Sequence, residues 1–263
     1  MPAYYNELDP YAAQWLRNLI TAGHIAPGDV DERSILEVKP DDLRGYGQCH
    51  FFAGIGGWSL ALRLAGWPDD RPVWTGSCPC QPFSTAGKKR GSDDERHLWP
   101  TFFNLIRECR PAKVFGEQVA GAYGLAWLDH VCADLEGAGY AAAAANLCAA
   151  GAGAPHIRQR LYWVAVGNTG SEDVARLEQE GRDLRRQPSA AQSLDGLPVV
   201  FAGVCDHADS VPHWSPDGLS RPVGPVRAYG NAIVPQVAAA FVLANAELSG
   251  PQRPARKDED GTE

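Results

Sequence analysis

Short apolar runs alternate with longer stretches whose apolar positions recur at helical spacing, and this rhythm organises most of the first 167 residues. The segments "QCHFFAG", "RPVWTGS", "AKVFGEQV" and "RLYWVAVG" are brief, rich in β-branched and aromatic residues, and bounded by glycine or polar positions, which predicts buried strands. Between them, "YAAQWLRNLITAG" closes on Gly23, and "WSLALRLAG", "LWPTFFNLIREC" and "AWLDHVCADLEGAG" read as amphipathic helices. Strand and helix in alternation imply a parallel sheet with helices on both faces, an α/β fold. The rhythm fails from about Asn168 to Val226, where "EDVARLEQEGRDLRRQ" predicts one exposed helix inside an otherwise irregular insert. A last helix, "QVAAAFVLANAEL", follows "GNAIVP". The chain therefore divides into a main domain over 1–167, a small insert over 168–226, a segment over 227–248 that returns to the main domain, and a tail over 249–263. No internal repeat is present, and "AAAAANLCAAGAGA" is alanine-rich but too short to treat as low complexity.

Composition narrows the class. With 44% hydrophobic and 21% charged residues among 263, the chain is an ordinary globular protein with one sizeable core. It has no run of about 18 apolar residues, and "MPAYYNELDP" has neither a basic nor an apolar leader region, so a cytoplasmic protein with no membrane contact is expected. Seven cysteines without framework spacing fit a reducing compartment better than a disulfide scaffold. The formal net charge of -8 argues against a nucleic-acid partner, but positive charge gathers locally at Lys88, Lys89 and Arg90, at Arg158 and Arg160, and at Arg182, Arg185 and Arg186. The tail "PQRPARKDEDGTE" lacks an apolar anchor and is expected to be disordered.

Four motifs carry candidate chemistry. "FFAGIGG" (Phe51 to Gly57) joins a strand to a helix through closely spaced glycines, a turn that lets backbone approach a cofactor and aims helix N-terminal amides at it. A tight turn without a ligand would read the same. "CPCQ" holds Cys78 and Cys80 at the end of a strand; no second cysteine pair or nearby histidine pair supplies a metal site, and the spacing is not that of a redox CxxC. A structural cysteine and a nucleophilic one, its thiolate stabilised by amides and nearby positive charge, both remain open. Glu117 in "FGEQV" falls at the end of the next strand, on the same sheet edge as Cys80, where partial burial can raise a carboxyl pKa and suit it to donate a proton; a solvated glutamate at a strand end would read the same. In "APHIRQRLYWVA", Arg158 and Arg160 alternate and so face one way from an extended segment, as phosphate and carbonyl ligands or as a surface ion-pair strand.

In the order "FAGIGG", "PCQPFS", "GEQV", "RQRLYWVA" and "GNAIVPQVA", the chain resembles the DNA (cytosine-5) methyltransferase family up to about Leu248. The resemblance implies a Rossmann-like S-adenosylmethionine-dependent methyltransferase fold with a short irregular target-recognition insert. It implies Cys80, Glu117 and Arg160 as catalytic residues and Phe52, Gly54, Gly56 and Asn231 around S-adenosylmethionine. DNA contact would fall to Gln81, Ser84, Lys88, Lys89, Arg90 and Arg158, in a monomer of restriction-modification or phage type with no metal. Two departures stand out. Fewer than 30 residues separate Phe52 from Cys80, where the family places two further strands, while "NELDPYAAQWLRNL" and "GDVDERSI" near the N-terminus are similar to those missing adenosine-binding segments. The motif order reads as permuted, with Glu7 on the ribose hydroxyls and Asp29 on the adenine amine. Gln118 stands where the family has asparagine, which opens an alternative of a modified donor such as a carboxymethyl one; a catalytically weak DNA-binding homologue is the other alternative.

Overall fold

Asp9 starts the first helix by local chemistry: its carboxylate accepts the N–H groups of Tyr11 and Ala12, and Pro10 occupies a first turn that needs no further donor. This helix, α1 (Pro10–Thr21), ends before Gly23, whose φ of 71° is left-handed. The computed structural model describes residues 1–79, 98–154, 157–167 and 232–246. Within them lie seven strands, β1 (Ala3–Asn6), β2 (Gly28–Asp31), β3 (Gln48–Phe51), β4 (Val73–Gly76), β5 (Lys113–Val119), β6 (Tyr140–Cys148) and β7 (Gln159–Gly167). Four more helices are α2 (Gly57–Leu64), α3 (Trp99–Cys109), α4 (Ala122–Gly137) and α5 (Pro235–Ala244).

The strands form one sheet in the order β2-β1-β3-β4-β5-β7-β6. From β2 to β5 every pairing is parallel, whereas β7 runs against both β5 and β6. The fold is thus Rossmann-like α/β, but the sheet is mixed rather than purely parallel. Its reversed strand follows from the short link between β6 and β7, which forces an antiparallel pair. The alanine-rich stretch that gave no signal in the sequence is the nine-residue β6. Alanine has little intrinsic strand preference, so pairing with β7 decides the conformation there. Helix α4 begins four residues before its predicted start, at Ala122 after the extended turn of Gly121.

Aromatic layers bury both faces. Phe51, Trp74, Phe102, Trp127 and Trp163 pack around Trp99 on one side, with Trp99 and Trp127 ring centroids 5.6 Å apart. On the other, Trp58, Phe115, Tyr162, Val237 and Phe241 pack beneath α2 and α5, and Tyr5, Leu16 and Ile25 beneath α1. Each such side chain contributes about 1.5–3 kcal/mol on burial, so these layers rather than helix propensity hold the chain together. His50 is enclosed in the sheet with Nδ1 2.8 Å from Thr75 Oγ1 and Nε2 3.3 Å from Gln48 Oε1. Burial pushes its pKa down to about 3, so it is a neutral and satisfied core residue. At the base of the sheet, Lys113 Nζ donates to the Asn245 carbonyl at 2.7 Å and Arg71 to that of Ala246 at 3.2 Å, closing the end of α5.

Candidate active site

Parallel strands bring their C-terminal ends to one edge, where ligand sites of open α/β sheets form. On β5, Phe115 and Glu117 share a face, and register places Glu117 beside Tyr162 and one residue beyond the end of β4. Because β7 is reversed, its first residues reach the same edge; Arg160 lies opposite Val119 and diagonal to Glu117. Arg160 Nε donates to Glu117 Oε1 at 2.8 Å. Glu117 is only 7% exposed, and desolvation raises its pKa above the ordinary carboxyl value against the opposing pull of Arg160, Arg158 and the Ser77 hydroxyl. Burial lowers the pKa of the Arg158 guanidinium, helped by Arg160 and resisted by Glu117. One Arg158 N–H donates to the Ala232 carbonyl at 2.9 Å, so this arginine ties the returning segment to the edge.

At the neighbouring glycine turn, Phe52 has a φ of 52°, a left-handed conformation that costs a non-glycine residue on the order of 1 kcal/mol and is held by the Ala53 N–H to Asn6 carbonyl bond. Its ring meets Phe102 edge-on at 6.0 Å. Gly54 also has positive φ, and a Cβ there would meet nothing within 4 Å. Gly56 differs: a Cβ would press on Leu16 and Ile25 at 3.2 and 3.3 Å, so this glycine serves packing against α1 rather than approach of a ligand. Glu7 follows β1, and its two carboxylate oxygens accept the N–H groups of Asp9 at 2.9 Å and Gly54 at 2.7 Å. The structure therefore brings Glu7, Phe52 and Gly54 together. Asp29 lies elsewhere, paired with Tyr4 two residues before the end of β2, with its carboxylate accepting from Tyr46 at 2.9 Å. An open glycine turn at a helix start offers N–H donors, and the carboxylate at the end of the adjacent strand is an acceptor of the kind that ribose hydroxyls donate to.

Cys80, Gln81, Ser84, Lys88, Lys89, Arg90 and Asn231 lie outside the described residues, as do the insert and the tail. Cys78 is buried in the core layer. Gln118, 3% exposed, donates from Nε2 to the Cys78 carbonyl at 3.1 Å and accepts the Val119 N–H at 2.9 Å, so both ends of its amide are engaged within the protein. Sequence reasoning passed over Ser77 and Trp58. Trp58 Nε1 donates to Ser77 Oγ at 3.0 Å, and the Ser77 hydroxyl reaches Glu117. Only the position of Ser77, three residues before Cys80, hinted at such a part. Among the described residues no cluster of His, Cys, Asp and Glu could hold a metal ion, and no helix is long and apolar enough to cross a membrane.

Residues 66–194 match the family model described as C-5 cytosine-specific DNA methylase. The Type II methyltransferase M.NgoMIV of Neisseria gonorrhoeae is 35% identical over 103 residues, 38% of this chain and 33% of its own. The Type II methyltransferase M.NaeI of Lentzea aerocolonigenes is 27% identical over 231 residues, 84% of this chain and 49% of its own. Among solved structures, the S. pombe Dnmt2 methyltransferase aligns with a TM-score of 0.40 and 15% identity over 72% of this chain and 57% of that one. The chain spans between a third and a half of the length of these two curated relatives. The matched stretch takes in β4, β5, β7 and the Glu117–Arg160 pair, and over it the chain is similar to the C-5 cytosine-specific DNA methylases.

Proposed function

We propose that this chain transfers a methyl group from S-adenosylmethionine to carbon 5 of cytosine in DNA. The observation that carries the reading is the buried Glu117 held by Arg160 at the open sheet edge, next to the strand whose sequence runs on to Cys80. The family model matched by residues 66–194, and relatives that are Type II methyltransferases, support it.

Carbon 5 of cytosine is a weak nucleophile, and the chemistry assigned to the residues remedies that. The Cys80 thiolate adds to carbon 6, pushing an electron pair toward carbon 5, while Glu117 gives its proton to ring nitrogen 3 and prevents negative charge building on the ring. Arg160 holds the base carbonyl. After alkylation, the carbon 5 proton leaves to a base, the bond to Cys80 breaks to release its thiolate, ring nitrogen 3 returns its proton to Glu117, and the ring regains its aromaticity. S-adenosylmethionine, when bound, supplies the electrophilic methyl group. Neither face of a stacked cytosine is open to sulfur, so the base must leave the duplex. Gln81, Ser84, Lys88, Lys89 and Arg90 take the DNA side of the site, with Arg158 beside them. Glu7, Phe52, Gly54 and Asn231 take the cofactor. Asp29, two residues before the end of β2, meets the adenine amine.

The cofactor half is permuted in this reading. Supporting it, the glycine-turn strand β3 comes third in the chain yet sits inside the sheet beside the central β4, flanked outward by β1 and then β2, in the places that the second and third strands of an ordinary Rossmann sheet occupy. The family match also begins at residue 66, past the glycine turn. A modified donor drew its support from Gln118 alone, whose amide is engaged within the protein.

Tritiated-methyl transfer to DNA tests the reading. Wild type and Cys78→Ala are expected to label cytosine and Cys80→Ala to lose labelling entirely; equal loss from both cysteines would remove the nucleophile, and no wild-type transfer would leave a DNA-binding homologue. Calorimetric titration tests the permuted half. Glu7→Gln is expected to weaken S-adenosylmethionine binding by about 1–3 kcal/mol, the scale of a hydrogen bond to a charged group, and unchanged affinity would make the N-terminal segment an appendage.

A further inference from the structure

An indole has one polar hydrogen and accepts nothing. The 3.0 Å contact from Trp58 Nε1 to Ser77 Oγ therefore has a single direction: the serine oxygen receives, and its own hydroxyl hydrogen is left to go elsewhere. The β4–β5 register, which pairs Gly76 with Gly116, sets Ser77 beside Glu117, and the serine hydroxyl is among the groups that favour the Glu117 carboxylate. Trp58 is locked, 3% exposed, stacked on Phe115 at 6.1 Å and edge-on to Tyr162 at the same distance. The donors thus run Trp58 to Ser77 to Glu117, with Arg160 Nε donating to the same carboxyl group at 2.8 Å.

We propose that Ser77, with its direction fixed by Trp58, is a positioning residue for Glu117 that orients the carboxyl group and receives the carboxylate left behind when Glu117 gives up its proton. The inference rests on the reading of Glu117 as the acid that serves ring nitrogen 3. In that step a proton leaves the buried carboxyl group, and the anion formed there must be solvated by groups already in place, because the site has little water to offer. Ser77 and Arg160 are those groups. Both favour the anion, while burial favours the acid, and their balance sets the pH range in which Glu117 holds a proton to give. Among the described residues, the charged and titratable groups facing Glu117 are Arg160 and Tyr162 from β7 and Arg158 just before it; Ser77, which follows β4, is the neutral donor. Trp58 adds a connection of its own, since it stands in the first turn of α2 directly after the glycine turn.

The test follows the carboxyl group itself and the reaction separately. Full-length protein carrying carbon-13-labelled glutamate is titrated by NMR, with the Glu117 signal assigned by its loss in Glu117→Gln. Ser77→Ala, which removes one oxygen, is expected to move the Glu117 midpoint upward by about one pH unit, the scale of a single hydrogen bond to a charged group. Ser77→Thr restores the wild-type midpoint, and Trp58→Phe moves it upward by less. Single-turnover methyl transfer to DNA is measured over the same range, and its alkaline limb is expected to move upward with the NMR midpoint. A midpoint unchanged in Ser77→Ala overturns the proposal, as does a uniform loss of rate at every pH with an unmoved profile. If the midpoint moves but the wild type labels no cytosine, the relay stands and the assigned reaction falls.

Discussion

Lys113 and Glu117 stand on one face of one strand, four residues apart and nearly equal in burial, at 5% and 7% exposed. Burial works on both in the same sense, against charge: it lowers the ammonium of Lys113 to about 8 and raises the carboxyl of Glu117. Their partners differ. Lys113 donates to a main-chain carbonyl after α5 and lies 5.4 Å from the Trp67 ring centroid, so its neighbours are fixed parts of the fold. Glu117 faces two guanidinium groups and a hydroxyl at the edge where the sheet opens. The same strand thus spends one buried charge on closing a helix and keeps the other adjustable, which is what a group that must change protonation during a reaction requires.

The largest effect separating the two is expected from Glu117→Gln, which keeps the shape and removes the proton donor. Methyl transfer in a single turnover falls by about 100-fold or more, the range for a general acid, while the melting temperature at neutral pH does not drop. A melting temperature that falls along with the rate would make Glu117 a structural residue like Lys113. Next in size is Lys113→Met, which leaves the Asn245 carbonyl without its donor and costs about 1–3 kcal/mol in denaturant unfolding, with transfer unchanged within about twofold. The smallest effect concerns pH and has opposite signs at the two ends. Since folding lowers the pKa of Lys113 from 10.5 to about 8, the unfolded chain binds more protons between those values, and this group's contribution to stability improves as pH rises from 8 to 10.5. Folding raises that of Glu117, so its contribution is best below 4.5 and is lost as pH rises through the folded value. Melting curves of wild type against each variant across pH check both slopes; slopes of one sign would erase the contrast.

Much of this was legible in the sequence, for physical reasons that also mark where it stops. Strands β3, β4, β5 and β7 carry large apolar side chains bounded by glycine or polar residues, and Glu117 could be placed on the edge by counting from them. Strand β6 could not be seen, because its alanines have no preference strong enough to show outside the sheet. Gly54 and Gly56 look alike in "FAGIGG", yet one faces open space and the other packs on α1, a distinction that exists only in three dimensions. Asp29 was assigned from its neighbours in the chain, whereas register sets it two residues short of the strand end. Ser77 gave no signal beyond its place three residues before Cys80, because its part depends on the direction of an indole hydrogen from another element.

Strand β7 is paired on both sides from Arg160 to Val166, and its residues alternate strictly between the two aromatic layers: Leu161, Trp163 and Ala165 to one, Tyr162, Val164 and Val166 to the other. Sliding it by a single position would exchange those two sets and turn Arg160 away from Glu117 in the same motion. The guanidinium is therefore kept in place by oily side chains far from it, each acting as a check on alignment. An error in the site would first have to be an error in the core, and a mispaired chain would announce itself as an unstable protein long before it became a misplaced arginine.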